Sequence, residues 1–394
     1  MSKPKVLYYI HTYFLDSCLE TLQSIKYHVD IDLIIEVSPD SIKSTIFELD
    51  DIRPYKQLED LETVLSPAVW KRFRIYLAHI HSARILFFKN KRTFGIESIS
   101  CGFLLARLIH AGNYTAIHFD TASARAVTSL PFIFNQNLVM TIHDPVVHTG
   151  ETSFVLTLVR YIYTRLCNAF FFYSSYSMAL YSQLNHSLSL RCSKLMLQPY
   201  SFIAQFKEFA PPFRSQILFF GQLSYYKGID LFLQAIPTVL KQYPNEQFLI
   251  AGKSSGYSID TDLIAEYPNN IQLVDEYLSI GRLSQLINHS KFIVCPYREA
   301  TQSGVLMTAF AMGRSVLATR VGAFPEYIDN GVNGILSDTT SSSIAQGILT
   351  MLDAKYYLTL EKQVNSSPSK DVSDYNRNAL LEVYSLSKTS NVKA

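Results

Sequence analysis

Short apolar runs alternate with longer segments of helical periodicity along most of the chain. The apolar runs are KVLYYI, IDLIIEV, ARILFF, TAIHF and LVMTIH in the first half, and QILFFG, QFLIAG, IQLVDE, FIVCPY and SVLAT in the second half. Runs that are apolar throughout are typical of parallel strands buried on both faces. Helical patterns follow several of them, for example at Gly228 to Tyr243, Ser279 to Ser290 and Gly304 to Met312. The pattern predicts an α/β fold with two Rossmann-like, doubly wound domains that face a central cleft.

A proline-rich stretch separates the two sets of runs. Pro199, Pro211 and Pro212 interrupt any regular element, which indicates an interdomain linker near residues 198–215. The length of 394 residues also suits two domains better than one. The expected units are an N-terminal domain over residues 1–200, a C-terminal domain over residues 201–370, and a helical tail over residues 371–394 that can cross back to the first domain.

Composition narrows the class of protein. A chain with 48% hydrophobic and 17% charged residues is globular, and a net charge of +2 gives no reason to expect a nucleic-acid partner. The five cysteines are scattered without a CxxC pair, as expected for thiols in a reducing compartment. No apolar run is long enough to span a bilayer, and the N-terminal run lacks a cleavage site. We therefore expect a cytoplasmic protein that can bind the membrane face.

The residues after the apolar runs are the candidate ligands, because open α/β sheets bind their ligands beyond the carboxyl ends of the strands. After QILFF, Gly221 ends the strand, and Lys227 and Gly228 precede a helix. Such a lysine and the N–H groups of the helix start can face a phosphate. The alternative is a solvated lysine in a surface turn.

A second candidate site follows FIVCPY. Glu299 lies in the loop, and Ser303 and Gly304 open a mostly apolar helix with no acidic residue in its first turn. A helix N-terminus of this kind binds anions, and Gly304 allows a ligand to approach the backbone closely. Glu299 could accept hydrogen bonds from sugar hydroxyls, or it could simply cap the loop. Further along, Glu326 at a probable helix start is assigned a structural role.

Histidines lie near the ends of two strands in the first half. AIHFD and TIHDP contain His118, His143 and Asp144. Histidines that face a cleft can donate to sugar hydroxyls or exchange a proton at neutral pH. A zinc site that also uses His148 is the rival interpretation, and the missing HExxH pattern argues against it.

The second half, most clearly residues 216–338, resembles the retaining glycosyltransferases of family 4, which have the GT-B fold. The matching motifs are Gly221-Gln222-Leu223 with Lys227-Gly228, Ala251-Gly252, Pro296-Tyr297 with Glu299, and Gly313 through Val316 and Thr319 to Gly322, Pro325 and Glu326. The Thr-Gln-Ser-Gly-Val variant at residues 301–305 is similar to a bacterial subgroup of that family. The resemblance implies a metal-independent hexosyltransferase without a cofactor, in the synthesis of a surface polysaccharide such as O-antigen, capsule or exopolysaccharide.

The resemblance also implies roles for the matched residues, with retention of anomeric configuration. The implied set is Lys227, Gln222, Ser303, Gly304 and Val305 at the donor diphosphate, Thr308 and Gly221 at the nucleotide, and Glu299 and His118 as catalytic residues at the transferred sugar. The partners would be a UDP- or GDP-sugar donor and a glycan or lipid-linked acceptor.

Three departures from the family pattern are found, and one of them is Arg314-Ser315 in place of the usual Lys-Pro. Gln222 replaces an arginine that faces the diphosphate, and Thr308 replaces a glutamate that binds the ribose. The nearby cations that could compensate are Arg298, Lys253 and Arg320. Because of these departures, a catalytically degenerate partner that only binds a nucleotide sugar stays an alternative.

The acceptor side is expected in the N-terminal domain, at His11, Tyr13, His143 and Asp144. The aromatic loop after KVLYYI can stack on a sugar or a lipid chain. Residues 69–92 mix aromatic and basic side chains, which is typical of contact with an anionic membrane surface. The alternative for this segment is an amphipathic helix, a buried strand and a basic loop.

Three other enzyme classes are alternatives to a family-4 glycosyltransferase. A dehydrogenase is disfavoured because no strand is followed by GxGxxG. Asp260-Thr261-Asp262 matches the Asp-x-Asp motif of metal-dependent transferases. Because it lies in a polar loop before a helix, we interpret the match as a coincidence. A sugar-nucleotide epimerase shares the two-domain architecture and stays an alternative.

Overall fold

The structure is a computed structural model that describes residues 3–39, 41, 49, 52, 56–90, 94–146, 154–186, 191–207, 214–254, 256–366 and 369–385. The strands of the first domain are β1 (Lys5–His11), β2 (Asp30–Val37), β3 (Leu58–Asp60), β4 (Ser82–Phe87), β5 (Ala116–Phe119), β6 (Leu138–Thr141), β7 (Ala169–Phe172) and β8 (Arg191–Lys194). Those of the second domain are β9 (Gln216–Phe220), β10 (Gln247–Gly252), β11 (Ile271–Asp275), β12 (Ser290–Cys295), β13 (Val316–Thr319) and β14 (Gly334–Ser337).

Helices connect most of these strands. In the first half they are α1 (Leu15–Gln23), α2 (Leu61–Val64), α3 (Pro67–Leu77), α4 (Ile96–Gly112), α5 (Leu130–Ile133), α6 (Phe154–Leu166), α7 (Ser175–Leu184) and α8 (Ser201–Ala204). In the second half they are α9 (Ile229–Leu240), α10 (Asp262–Glu266), α11 (Ile280–Asn288), α12 (Gly304–Ala311), α13 (Phe324–Tyr327), α14 (Ser341–Leu352), α15 (Tyr356–Ser366) and α16 (Ser369–Tyr384). Short 3-10 helices cover Thr12–Phe14, Ala126–Ser129, Tyr225–Lys227 and Asp353–Lys355.

The strands form two separate sheets. Among the described residues the first sheet has the order β3-β4-β2-β1-β5-β6-β7-β8, and only the edge strand β3 is antiparallel to its neighbour. The second sheet has the order β11-β10-β9-β12-β13-β14, with every described pair parallel. The prediction of two doubly wound α/β domains is confirmed.

Strand β1 shows why the apolar runs do not alternate. Val6, Tyr8 and Ile10 point into one hydrophobic core, which also holds the apolar face of α1. Leu7 and Tyr9 point into a second core on the other side of the sheet, which also holds the apolar face of α4. Because helices cover both faces of the sheet, every position from Val6 to Ile10 is buried.

The sequence prediction missed four strands. These are β3, β7, β8 and β14, which are three or four residues long. The run Ala169–Phe172 is apolar and fully buried, but no glycine or proline separates it from the helices on either side. Without a glycine or proline to mark its ends, an apolar run of four residues cannot be distinguished from a continuation of the neighbouring helices.

The C-terminal helix α16 lies against the first domain. The Asn376 side chain accepts a hydrogen bond from the Met196 N–H at 2.8 Å and donates one to the Met196 carbonyl at 2.8 Å. The Tyr384 hydroxyl lies 2.5 Å from Nδ1 of His118. The domain boundaries at residues 200 and 370 stay predictions, and Pro211 and Pro212 of the expected linker lie outside the described residues.

Residues 69–92 do not present an aromatic face to solvent. Phe73 and Tyr76 of α3 are buried in the core, and β4 is a strand within the first sheet. In the described part of this segment, up to residue 90, Ile75 is the one large hydrophobic side chain that is exposed. The aromatic part of the predicted membrane surface is therefore wrong, because the helical period directs these rings inward.

We predict that Gly228→Ala destabilises the protein by about 2 kcal/mol or more. Gly228 joins the Tyr225–Lys227 turn to α9 at a φ of +68°, and an added Cβ would lie 1.9 Å from the Pro296 carbonyl oxygen. Urea unfolding measures the loss. Gly281→Ala is the matched control, because a Cβ there meets nothing within 4 Å. Equal midpoints for the two variants would contradict the prediction.

Candidate active site

Lys227 and the first turn of α12 meet above Gly221 at the carboxyl edge of the second sheet. Gly221 follows β9 directly and has a φ of +112°. A Cβ added to Gly221 would lie 3.1 Å from Nζ of Lys227 and 3.0 Å from Cγ2 of Val305. Three residues that the sequence assigns to the donor are thus brought together from separate loops.

The Lys227 side chain is largely buried, with 7% of the residue exposed. Its Nζ lies 5.9 Å from the ring centre of Tyr226 and 5.7 Å from that of Tyr297. Aromatic faces attract a cation and help to hold it in place. An ammonium in this position at the edge of the cleft can take part in binding an anionic ligand.

The N-terminus of α12 is the second anion-binding element. Ser303 caps the helix, with its Oγ accepting a hydrogen bond from the Leu306 N–H at 3.1 Å, and the first turn contains no acidic residue. The helix dipole therefore acts on the cleft without a compensating carboxylate in that turn. Gly304 lies close to Tyr200, since an added Cβ would be 3.1 Å from the Tyr200 hydroxyl.

A buried hydroxyl near Lys227 has no hydrogen-bond partner among the described residues. It is Ser224 Oγ, whereas the buried Tyr297 hydroxyl lies beside the Ser303 side chain. Burial raises the pKa of Tyr297, and the Ser303 side chain partly opposes that rise. Ser224 precedes the turn that carries Lys227, and the Tyr297 ring faces the Lys227 ammonium. Buried polar atoms are nearly always paired, so a ligand or an ordered water belongs here.

The remaining donor-side predictions concern Glu299, Gln222 and Thr308. Glu299 is half-buried in the loop between β12 and α12, Gln222 is exposed after Gly221, and Thr308 is buried one turn into α12. Their roles toward a donor stay predictions.

Two of the three candidate replacements for the missing arginine already have partners. The Arg298 guanidinium binds the Asp230 carboxylate through two bonds of 2.8 and 2.6 Å, which raise the pKa of Arg298. Lys253 pairs with Asp275 at 3.2 Å. Arg320 is exposed directly after β13, so it is the cation whose side chain is best able to turn toward a ligand.

The expectation that His118 faces the cleft is wrong. His118 lies within β5 rather than after it, and it is fully buried. Its Nδ1 is 2.5 Å from the Tyr384 hydroxyl and its Nε2 is 2.8 Å from Thr141 Oγ1. Burial, with a smaller effect of the nearby His143 ring, lowers the pKa of His118 to about 3. In this conformation His118 is a neutral packing residue.

His143 instead lies where the domains meet. Its Nε2 is 3.0 Å from Oδ2 of Asp120, and its Nδ1 is 2.8 Å from Nε2 of Gln302 in the second domain. The Phe14 ring stacks on the imidazole with ring centres 3.7 Å apart. Asp120 is fully buried and also accepts a hydrogen bond from the Tyr8 hydroxyl at 3.1 Å. His143 is thus held in one orientation at the junction.

The loop before α12 is bound to the first domain. The Thr301 carbonyl accepts hydrogen bonds from Ser174 Oγ at 3.0 Å and Ser177 Oγ at 3.1 Å, and Thr301 Oγ1 donates to the Asp144 carboxylate. Asp144 thereby lies beside this loop, which contains Thr301 and Gln302 and is called the donor loop below. Its predicted contact with an acceptor is untested.

Glu326 makes a second contact between the domains. Its carboxylate accepts hydrogen bonds from the N–H groups of Ser175 and Tyr176, at 2.9 and 2.8 Å, and pairs with Lys194 at 3.0 Å. Desolvation alone would raise the pKa of Glu326, but these bonds lower it. The carboxylate therefore caps the N-terminus of α7 from the other domain.

The N-terminal loop has a defined geometry. The His11 and Tyr13 rings stack at 4.6 Å, and Nδ1 of His11 accepts a hydrogen bond from the Tyr13 N–H at 3.3 Å. Burial lowers the pKa of His11, while the nearby Glu36 carboxylate opposes that effect. The Tyr13 side chain is exposed.

Within the described ranges no group of three or more His, Cys, Asp or Glu side chains could hold a metal ion. His148, which the zinc interpretation requires, lies outside those ranges.

Several residues of the site were not predicted as such. Asp120 follows β5 directly, so the rule that ligands lie beyond strand ends could have found it. Gln302, Ser224 and Tyr200 carry no comparable sequence signal, because their importance depends on contacts across the domains or on missing partners.

Two Rossmann-like domains with parallel sheets, one of which carries Lys227 and the N-terminus of α12 at its carboxyl edge, define a class of two-domain α/β proteins. Residues 214–354 match the family described as glycosyl transferases group 1. The chain is 28% identical over 147 residues to D-inositol 3-phosphate glycosyltransferase of Corynebacterium jeikeium. That alignment covers 34% of this chain and 34% of the relative, so the chain matches about a third of the relative's length.

The whole chain has the GT-B fold of glycosyltransferases. It is similar to the crystal structure of Anabaena HepE in complex with UDP and glucose, with a TM-score of 0.64, 16% identity and coverage of 97% of this chain and 100% of that one. UDP-GlcNAc 2-epimerase from Neisseria meningitidis bound to UDP-GlcNAc is also similar, with a TM-score of 0.56, 14% identity and coverage of 96% and 100%. The predicted resemblance to GT-B glycosyltransferases is confirmed.

We predict that the stability cost of His118→Gln shrinks as the pH falls. Below pH ~6.5 the unfolded wild-type chain binds a proton at His118 that the folded chain excludes, so stability present above this pH is progressively lost. The glutamine variant has no such proton to bind, so it does not lose this stability. The amount by which its free energy of unfolding falls below that of the wild type should therefore decrease by about 2 kcal/mol between pH 7.5 and pH 5. Urea unfolding of both proteins at each pH measures the change.

Other groups also titrate in this range, such as Glu20, whose pKa burial raises to about 7. They affect the wild type and the variant equally, so they do not contribute to the difference between the two free energies of unfolding. A difference in stability that does not change with pH would mean that His118 has the same pKa in the folded and the unfolded chain, which would contradict the prediction.

Proposed function

We propose that the protein transfers a sugar, of the hexose type, from a nucleotide diphosphate donor to a glycan or lipid-linked glycan. The observation that carries the proposal is the anion-binding edge formed by Lys227, Gly221 and the N-terminus of α12. The buried Ser224 hydroxyl, which has no partner among the described residues, supports it, because a non-bridging oxygen of a diphosphate would complete its hydrogen bond.

In this proposal the protein stabilises the departing diphosphate without a metal. Lys227 supplies a full charge, and the amides of Ser303, Gly304 and Val305 supply oriented dipoles. Glu299 binds hydroxyls of the transferred sugar. The acceptor hydroxyl attacks from the face that the diphosphate leaves, which retains the anomeric configuration. This stereochemistry rests on the resemblance to family 4.

The acceptor would approach from the first domain. Tyr13 is exposed there, and His143 and Asp144 contact the donor loop. Because His118 is buried, we assign no direct role in catalysis to it in this conformation. The Asp120–His143 pair is the better candidate to orient groups at the junction.

Synthesis of a bacterial surface polysaccharide at the cytoplasmic membrane face is the pathway we propose. No described helix is both long and apolar enough to cross a membrane. We propose that the basic side chains of residues 69–92 contact the bilayer. The aromatic side chains of this segment are no longer part of that proposal.

A sugar-nucleotide epimerase is the second candidate, favoured by the similarity to a 2-epimerase fold. It would act on the donor alone and form an isomeric nucleotide sugar. A degenerate nucleotide-sugar-binding partner would bind the donor without turnover.

We predict that one member of a panel of UDP- and GDP-sugars is consumed when membrane extract supplies the acceptor, and that EDTA leaves the rate unchanged. Lys227→Ala should reduce turnover about a hundredfold or more, since it removes the cation at the leaving group. Glu299→Ala should cause a loss of similar size. Release of the nucleoside diphosphate, measured by chromatography, reports the rate.

Lys241→Ala is the control, because this exposed lysine follows the end of α9 at the opposite edge of the sheet. Binding without turnover for any donor would support the degenerate partner. An isomeric nucleotide sugar formed without acceptor would support the epimerase.

We also predict that Gln222→Arg tightens donor binding by about fivefold to tenfold, or roughly 1 kcal/mol. Gln222 is exposed beside Gly221, so a guanidinium there can reach the diphosphate without repacking the core. Calorimetric titration with UDP measures the change. Gln242→Arg adds the same charge at an exposed position after α9, and it should leave the affinity unchanged. Equal effects of the two variants would indicate a general charge effect.

A further inference from the structure

A largely apolar cavity opens in the first domain, separate from the anion-binding edge of the second. Its volume is about 380 Å³, within the range of about 300–1,000 Å³ that is usual for small-molecule sites. It lies between β6, α6 and α7, and its walls include Met140, Ile142, Val146, Tyr161 and Leu184. Apolar walls of this kind favour a hydrocarbon chain over a sugar.

One end of the cavity reaches the junction of the domains. Phe14, His143 and Asp144 line this end. His143 and Asp144 are hydrogen-bonded to Gln302 and Thr301 of the loop that precedes α12. A molecule in the cavity therefore ends beside the donor loop, where an acceptor has to present its hydroxyl.

A cation lines the same cavity. Arg160 of α6 is half-buried, and no described carboxylate forms an ion pair with its guanidinium. Burial lowers the pKa of Arg160, and the more distant charge of Asp144 opposes that effect. A partly desolvated guanidinium without a salt bridge is unfavourable, and an anionic ligand would offset this cost. The planar guanidinium is well suited to a phosphate.

The outer rim of the cavity continues into an exposed apolar edge on α6. Phe154 is 83% exposed and Leu158 is 50% exposed, and Tyr161 belongs both to this edge and to the cavity wall. Leu184 of α7 is exposed at the same rim. A hydrocarbon chain longer than the cavity could thus continue along α6 without leaving apolar contact.

The charge of this region fits an anionic amphiphile. Helix α6, which forms one wall of the cavity, carries Arg160 and Arg165 and no Asp or Glu, while Asp144 lines the end at the domain junction. Anionic headgroups are attracted to the basic side of the cavity that α6 forms.

The geometry points to a binding site for a phosphorylated lipid between β6, α6 and α7, with the hydrocarbon chain in the cavity and the phosphate at Arg160. As the site of the acceptor, this assignment rests on the transfer reaction proposed above. It narrows the acceptor to a glycan or hydroxyl that is linked through phosphate to an apolar chain.

The test is calorimetric titration of the full-length protein with decyl phosphate below its critical micelle concentration. Inorganic phosphate and decyl maltoside are titrated in parallel, because one shares only the phosphate and the other only the chain. We expect decyl phosphate to bind at least tenfold more tightly than either. Equal affinity for decyl phosphate and either of the other two would overturn the proposal.

Variants locate the site. Arg160→Gln should weaken decyl phosphate binding about tenfold, and Arg160→Lys should recover most of the loss. Leu184→Trp, which fills the rim, should weaken it to a similar extent. Arg165→Gln is the matched control, because Arg165 lies on the same helix with its guanidinium over the exposed Tyr161 ring, and it is not among the residues that line the cavity. If Arg165→Gln weakens binding as much as Arg160→Gln, the binding is surface electrostatics and the proposal fails.

Titration with UDP separates this site from the proposed function and checks that each variant is folded. All variants should bind UDP as the wild type does. Binding of decyl phosphate without any nucleotide binding would refute the transfer reaction but leave the lipid site. Donor turnover in a protein that does not bind decyl phosphate would refute the lipid site alone.

Discussion

The carbonyl oxygen of Thr301 accepts hydrogen bonds from Ser174 and Ser177 of the other domain, and much of the site depends on this junction. The same loop carries the cap residue Ser303, so the N-terminus of α12 is held at a fixed position relative to the first domain. Glu326 strengthens the junction by capping α7 across the cleft. A ligand at the α12 N-terminus therefore meets both domains at once. Any opening of the cleft has to break these polar bonds, whose net strength is modest because water can replace them.

The electrostatics of the cleft follow from which cations are already paired. Arg298 is bound to Asp230 and Lys194 to Glu326, so neither presents a full charge to a ligand. Lys227 is buried under two aromatic rings beside a helix N-terminus, where the low local dielectric strengthens its attraction for an anion. Single charges and oriented dipoles are effective in such a place because they do not have to reorganise when the ligand binds. In the proposed function, this arrangement binds the donor diphosphate although Gln222 carries no charge.

The residues proposed for the donor have stronger local sequence signals than those proposed for the acceptor. Gly221, Lys227 and Gly304 follow strand ends, and local rules about glycine and helix starts are enough to find them. His118 looked equivalent, but it lies one residue inside β5 and points into the core against Tyr384, which is 266 positions away. Phe73 and Tyr76 were similarly misassigned to a membrane surface, because their side chains face inward on α3. Both errors concern the direction of a side chain, and packing partners that are distant in sequence decide that direction.

By itself, the sequence determined the two α/β domains, the positions of most strands, and the anion-binding loops, because buried strands and helix starts have local hydrophobic and capping signals. Only the tertiary structure decided which cations are neutralised, which histidine lies at the junction, and where an apolar cavity adjoins the cleft. These features arise between residues that are far apart in the chain, such as Asp144 with Thr301 and Arg298 with Asp230. Their geometry depends on how two complete domains pack, and no short-range pattern encodes it.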